Sequence, residues 1–212
     1  MEGHRGEAHT ALLAEQNCDV WLLTEVHHHL ELPGGYRFAA RSDDMAHAGQ
    51  RAFKNWAAIA ARCKASALTA THPATAAARI GSTTYAASIL PWAGSGGAAP
   101  WSGANHADRM ANALAALEPF FAAQDGLVWG GDWNQALEGT ETAGSIAGRA
   151  HVVAMLNRLR LNVPTTSLPH RINGVRSIDH IGLQVPARDA VRIVASDGTR
   201  RLSDHDLYVV DL

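Results

Sequence analysis

The sequence predicts an α/β fold of layered sheets flanked by helices. Two observations carry that expectation. Apolar runs of strand length recur along the 212 residues, as at Cys18–Thr24 and Leu127–Gly130, and each of these two follows a segment with helical spacing. Helices that feed buried strands in this way pack as covering layers on sheets.

The elements follow in order. Gly6 to Gln16 suits a helix, with Ala8, Leu12 and Leu13 on or near one face, and it leads into the strand that Glu25 ends. Tyr36–Ala39, Trp56–Arg62 and Thr84–Leu90 are further strands, the last stopped by Pro91. The stretch 91–103, PWAGSGGAAPWSG, is a loop by its Gly and Pro content. Asp108–Ala123 is a helix carrying Met110, Leu114, Leu117 and Phe121 at three- and four-residue spacing, and the strand Leu127–Gly130 follows it. A helix over Ala147–Leu161, a loop, and short strands at Ile181–Val185, Ala190–Val194 and Leu207–Val210 complete the chain. No segment reads as a linker and no repeat is visible, so residues 1–212 form one domain.

Charge and cysteine content narrow the setting. Eighteen Lys and Arg stand against 20 Asp and Glu, so no bulk positive field advertises nucleic acid. Cys18 and Cys63 lie in apolar runs without metal-ligand spacing and read as core residues of a reducing compartment. MEGHRGEAHT lacks the apolar core of a signal peptide, and no apolar run reaches the roughly 18 residues of a membrane span. The expectation is a soluble cytoplasmic monomer with no membrane partner.

Four polar clusters interrupt or end apolar runs: Glu25 after VWLLT, Asp132 and Asn134 after LVWGG, Asp179 and His180 in SIDHIGL, and Asp204 and His205 in RLSDHDLYVV. Side chains at i and i+2 of an extended chain point the same way, so Asp132 and Asn134 can converge on one object at the strand end. Singly, each has a plainer explanation. Glu25 can be a solvated strand end, D-x-N a turn in which both side chains bond their own backbone, and Asp204 a cap. Placed at several strand ends, the set is what a shared site requires.

CDVWLLTEV, VWGGDWN, SIDHIGL and LSDHDLYVV, in that order, resemble the motifs of the endonuclease/exonuclease/phosphatase superfamily. These are metal-dependent phosphoesterases similar to DNase I and to abasic-site endonucleases of the exonuclease III type. The resemblance runs from about Ala11 to Leu212, and G-D-W-N and S-D-H are its most specific parts. It implies a four-layer α-β-β-α sandwich and hydrolysis of phosphodiester bonds with Mg2+ or Mn2+. Glu25 and Asp204 would serve the metal. Asp132 would activate water, Asn134 would bond a phosphate oxygen, and Asp179 would orient His205 against the phosphate. Such chemistry needs a hard cation and carboxylates to hold it. The substrate would be nucleic acid, acted on by a nuclease, or alternatively a small molecule or lipid acted on by a phosphatase. A catalytically impaired member with a binding role is the rival from another class.

Two departures stand out. Family members open with a strand ending in a metal-binding asparagine, whereas this sequence begins at the following helix. The resemblance therefore implies a domain lacking its first strand, an unpaired edge beside the Glu25 strand, and an incomplete metal site. Ile89 falls where relatives often place a His or Tyr that faces the phosphate. Among the remaining residues, Arg109 is a candidate for a substrate phosphate, or else a solvated helix residue. Trp92, Trp101 and Trp133 are candidates for stacking on bases or for packing, with Trp133 the preferred substrate contact. Consecutive His27, His28 and His29 diverge and suit a loop better than a zinc centre. GSGGAAPWSG lacks the G-K-[ST] ending of a phosphate-binding loop.

Overall fold

The computed structural model describes residues 3–46 and 53–212. Three strands form one sheet in the order β1-β3-β2, with β1 at Val20–His27, β2 at Arg37–Arg41 and β3 at Lys54–Ala61. Five strands form a second in the order β4-β5-β6-β7-β8: Ser66–Leu68, Thr75–Ile80, Thr83–Ile89, Leu127–Asp132 and Asp179–Leu183. A separate antiparallel pair joins β9 (Asp189–Ile193) to β10 (Leu207–Asp211). Three helices cover the sheets: α1 (Gly3–Gln16), α2 (His106–Ala122) and α3 (Ile146–Leu159).

Apolar side chains explain the layering. Leu13 of α1 packs on Trp21, Tyr36 and Ala60, the outer face of the three-stranded sheet. Between the sheets, Ala57 and Ile59 of β3 meet Ala76 and Ala78 of β5 and Ala87 of β6. On the far side, Ala86 and Trp129 lie under Met110, Leu114, Leu117 and Phe121 of α2 and Val152, Met155 and Leu156 of α3. The result is the expected α-β-β-α sandwich. Asn105 and Ser145 start the two outer helices by accepting hydrogen bonds from the Asp108 and Gly148 amides at 3.0 Å, satisfying donors that a helix start leaves free.

Two elements escape the sequence expectations. β4 and β5 fall where the sequence marks no strand, because TAAAR in β5 has high helix propensity and no polar alternation. Burial of Thr75–Ala78 between the layers overrides that propensity, and small side chains let the sheets approach. A two-residue turn, Gly81-Ser82, joins β5 to β6 with Gly81 at φ +59°, a conformation glycine adopts freely. The cysteine expectation is also corrected. Cys63 is exposed and Cys18 half-buried, so neither is a plain core residue.

Topology positions the site. β7 runs parallel to β6 and antiparallel to β8, and its last residue, Asp132, lies directly across from Asp179. β1 packs against β6 and β7, so Glu25 approaches from the opposite sheet. Among the described residues, β1 pairs on one side only, with β3, and β10 pairs only with β9. No described helix is long and apolar enough to cross a membrane.

Candidate active site

The stretch GGDWN is shaped for close approach. Gly131 sits at φ +126°, and a Cβ there would overlap the Ser88 carbonyl oxygen of β6. Beyond it the chain turns sharply, with Asn134 at φ +50°. Asp132 Oδ1 accepts the Asn134 amide at 2.9 Å, Trp133 N–H donates to Ile178 O at 3.0 Å, and Asn134 Nδ2 donates to Leu90 O at 3.0 Å. The turn alternative for D-x-N is present, and that turn holds the Asp132 and Asn134 side chains at the end of β7.

His205 completes the cluster. Its Nδ1 lies 2.9 Å from both Asp179 oxygens, and its Nε2 lies 4.0 Å from Asp132 Oδ2. The second distance is too long for a hydrogen bond, which leaves that N–H able to donate to a third group. Behind His205, buried Asp206 accepts from Arg192, Arg201 and the Ala195 amide, fixing the chain that enters β10. His170 faces the His205 ring edge-on at 6.4 Å.

Charge is crowded here. The Asp179 hydrogen bond raises His205 to about 10; burial opposes this, and the charges of Asp179, Asp132 and Asp204 reinforce it. Burial first, then the charges of Asp179 and Glu25, push Asp132 up to about 8, although His205 and the Asn134 amide pull it down. The charge contribution, second to burial, is legible in the register: two aspartates sit opposite each other on adjacent strands, where like charges repel.

A pH dependence of stability follows in the absence of metal. Between the ordinary aspartate value and about 8, folded Asp132 keeps a proton that the unfolded chain has lost. His205 contributes fully below the ordinary histidine value, and that contribution fades as pH rises toward about 10. Both decline together from about pH 6.5 to 8, so stability should fall with rising pH across that window. Thermal melts in EDTA from pH 6 to 9 test this. A flat or rising Tm would refute it, and Asp132→Asn should flatten the slope.

The other expected site residues are placed as follows. Glu25 is exposed, at φ +50°, and pairs with Lys54 Nζ at 2.8 Å. Of the four non-glycine residues at positive φ among the described residues, Asn17 and Arg160 sit at the C-terminal ends of helices, whereas Glu25 and Asn134 lie at the candidate site. Unusual backbone of this kind is concentrated at functional positions. Asp204 is exposed on the loop before β10. Ile89 is buried against Trp56, Ala74, Trp101 and Ala113.

Two expected substrate contacts are corrected. Arg109 is buried and donates to Ala93 O at 2.9 Å, tying down the 91–103 loop instead of reaching outward. Trp133 is fully buried and stacks on Trp129 at 4.2 Å; Trp101 is also buried, edge-on to Trp56 and Trp92. The packing alternative wins because these indoles fill the core.

Other contributors escape sequence reasoning. Glu141 accepts the amides of Ala136, Thr142, Ala143 and Gly144 and so shapes the loop that follows Asn134. Nothing in its local sequence marks it. Asp206 is visible as the second acid of D-H-D, and Lys54 only as a cation opening a strand. The donor set fits a hard divalent cation: the charges of Asp179 and Glu25 both reach Asp132, and Asp132, Asp179 and His205 each offer a ligand atom within 4.8 Å of the others.

No family model and no curated protein matches this sequence. Solved structures match its fold. An AP endonuclease from Archaeoglobus fulgidus is 15% identical, with 98% of this chain and 95% of that one covered and a TM-score of 0.70. A 3' phosphatase, NExo, from Neisseria, bound to a product DNA hairpin, is 17% identical over 98% and 93% of the two chains at a TM-score of 0.67. An endonuclease/exonuclease/phosphatase from Beutenbergia cavernae is 14% identical over 97% of this chain and 65% of its own, at 0.63. The protein has the fold of the endonuclease/exonuclease/phosphatase superfamily.

Proposed function

We propose that this chain is a divalent-metal-dependent phosphoesterase of that superfamily, a nuclease that hydrolyses phosphodiester bonds in nucleic acid. The observation that carries the reading is the Asp179–His205 pair with Asp132 opposite Nε2. Glu25, with Asp204, would hold the cation. When bound, it would neutralise phosphate charge and favour the ionised form of Asp132.

The remaining work falls to the chain. Asp132, once ionised, accepts a proton from the attacking water. Asn134 donates one hydrogen bond to Leu90 O and retains a second N–H for a phosphate oxygen, without adding repelling charge. His205, kept protonated by Asp179, donates through Nε2–H to the phosphate oxygens as their charge grows.

Nucleic acid is favoured as substrate because neighbours in fold are an AP endonuclease and a phosphatase bound to a DNA hairpin. Of the exposed Arg171, Arg176, Arg200 and Arg201, the last three are engaged by Glu138, Asp197 and Asp206 and add little. A cytoplasmic location is proposed on the two unbridged cysteines.

Plasmid DNA and a bis-aryl phosphodiester, each with Mn2+ or with EDTA, test the reading. Both substrates should be cleaved only in the presence of the metal. Activity that survives chelation and also His205→Ala would overturn the mechanism. Faster turnover of an aryl phosphate monoester would redirect the substrate toward small molecules.

A further inference from the structure

Lys54 is not among the residues assigned a role above, yet it contacts one of them directly. It opens β3 opposite His27, on the diagonal from Glu25, and its Nζ lies 2.8 Å from Glu25 Oε2. Neighbouring Asn55 is locked by Arg41, Ser42 and Asp44, so the Lys54 backbone is fixed while its side chain remains about half exposed. Of the three carboxylates gathered here, Asp179 is paired with His205 and Asp132 lies opposite the Nε2 of the same ring. Glu25 is the one whose partner is a half-exposed ammonium.

An ammonium and a divalent cation cannot share that carboxylate at close range without strong mutual repulsion. We propose that Lys54 exchanges between Glu25 and the substrate phosphate, so that divalent-cation binding at Glu25 releases Lys54 to bind the phosphate. This rests on the metal-dependent reading of the site. Lys54 thereby weakens metal binding to the free protein and strengthens substrate binding to the metal-loaded one. Its flexible four-carbon stem suits such a move, as a single charge with three donors that can rotate onto either acceptor.

Lys54→Met should therefore act with opposite signs on two measurements. Mn2+ titration of the substrate-free protein, followed by electron paramagnetic resonance, should show binding about three- to tenfold tighter than wild type, the size expected for losing an exposed ion pair and a nearby positive charge. With saturating Mn2+, KM for plasmid DNA should rise severalfold while kcat stays within about twofold. Lys54→Arg, which keeps the charge, should restore most of both values. Glu25→Gln should weaken Mn2+ binding, and adding Lys54→Met to it should change that binding by less than Lys54→Met changes the wild type, because the ion pair is already gone. A lysine that only supports the fold would not move these values in opposite directions. Unchanged or weaker Mn2+ binding in Lys54→Met overturns the exchange. Wild-type Mn2+ binding that is indifferent to Glu25→Gln instead overturns the metal site itself. The titration needs no turnover, so it stands even where no substrate is cleaved.

Discussion

His205→Ala is expected to lower phosphodiester hydrolysis by about 10²–10⁴-fold, the usual contribution of a positioned acid–base group. The loss should appear in kcat, because the Nε2–H is aimed at charge that grows only as the reaction proceeds. Asp179→Asn keeps the shape of the pair but removes the charge that holds the ring protonated, the largest cause of the raised His205 value. Its signature is a pH profile. The alkaline limb that reports loss of the His205 proton should move to lower pH, whereas a purely structural defect would lower activity evenly across pH. Asp132→Asn should be at least as damaging, since it removes the proposed proton acceptor. A His205→Ala protein that retains activity within tenfold of wild type would remove His205 from the mechanism.

These residues are legible in the sequence because a carboxylate or imidazole that ends an apolar run is conspicuous. Strand alternation then explains why Asp132 and Asn134 read as neighbours. The partners that tune them are not legible. The pairing of Asp132 with Asp179 is a matter of register between strands 47 residues apart, and sequence spacing does not encode it. Arg109 and Trp133 look like ligand contacts in sequence, and only the packing of α2 and β7 shows that both point inward. The fold reads well where spacing is periodic, as in α2, and poorly at β5. There an alanine run lies between two sheets and carries a helical preference that tertiary burial overrides.

Gly131→Ala should show how closely fold and site are joined at one backbone position. The residue pairs with Ser88 across the parallel β6–β7 ladder, and its φ of +126° is one that a side-chain-bearing residue rarely adopts. An added Cβ would overlap the Ser88 carbonyl oxygen and lie 2.9 Å from the Ser88 nitrogen, so backbone, not a flexible side chain, must give way. Ser88 is itself committed, its Oγ hydrogen-bonded to Thr75 at 2.8 Å and to Trp129 Nε1 at 3.0 Å, which leaves β6 little freedom to yield. Two penalties therefore add: backbone strain and loss of pairing at the end of β7. Together they should cost on the order of 3 kcal/mol. For a chain of this size that is roughly 6–12 °C in Tm. Displacement of β7 also moves Asp132 from its place across from Asp179, so activity should fall even at temperatures where the variant remains folded. Gly81→Ala is the matched control. It too has positive φ, at +59°, but a Cβ there meets nothing within 4 Å and the turn is remote from Asp132. It should lose stability through strain alone and keep wild-type turnover. Equal losses of activity in the two variants would show that Gly131 matters only for stability and that the end of β7 can shift without cost to the site.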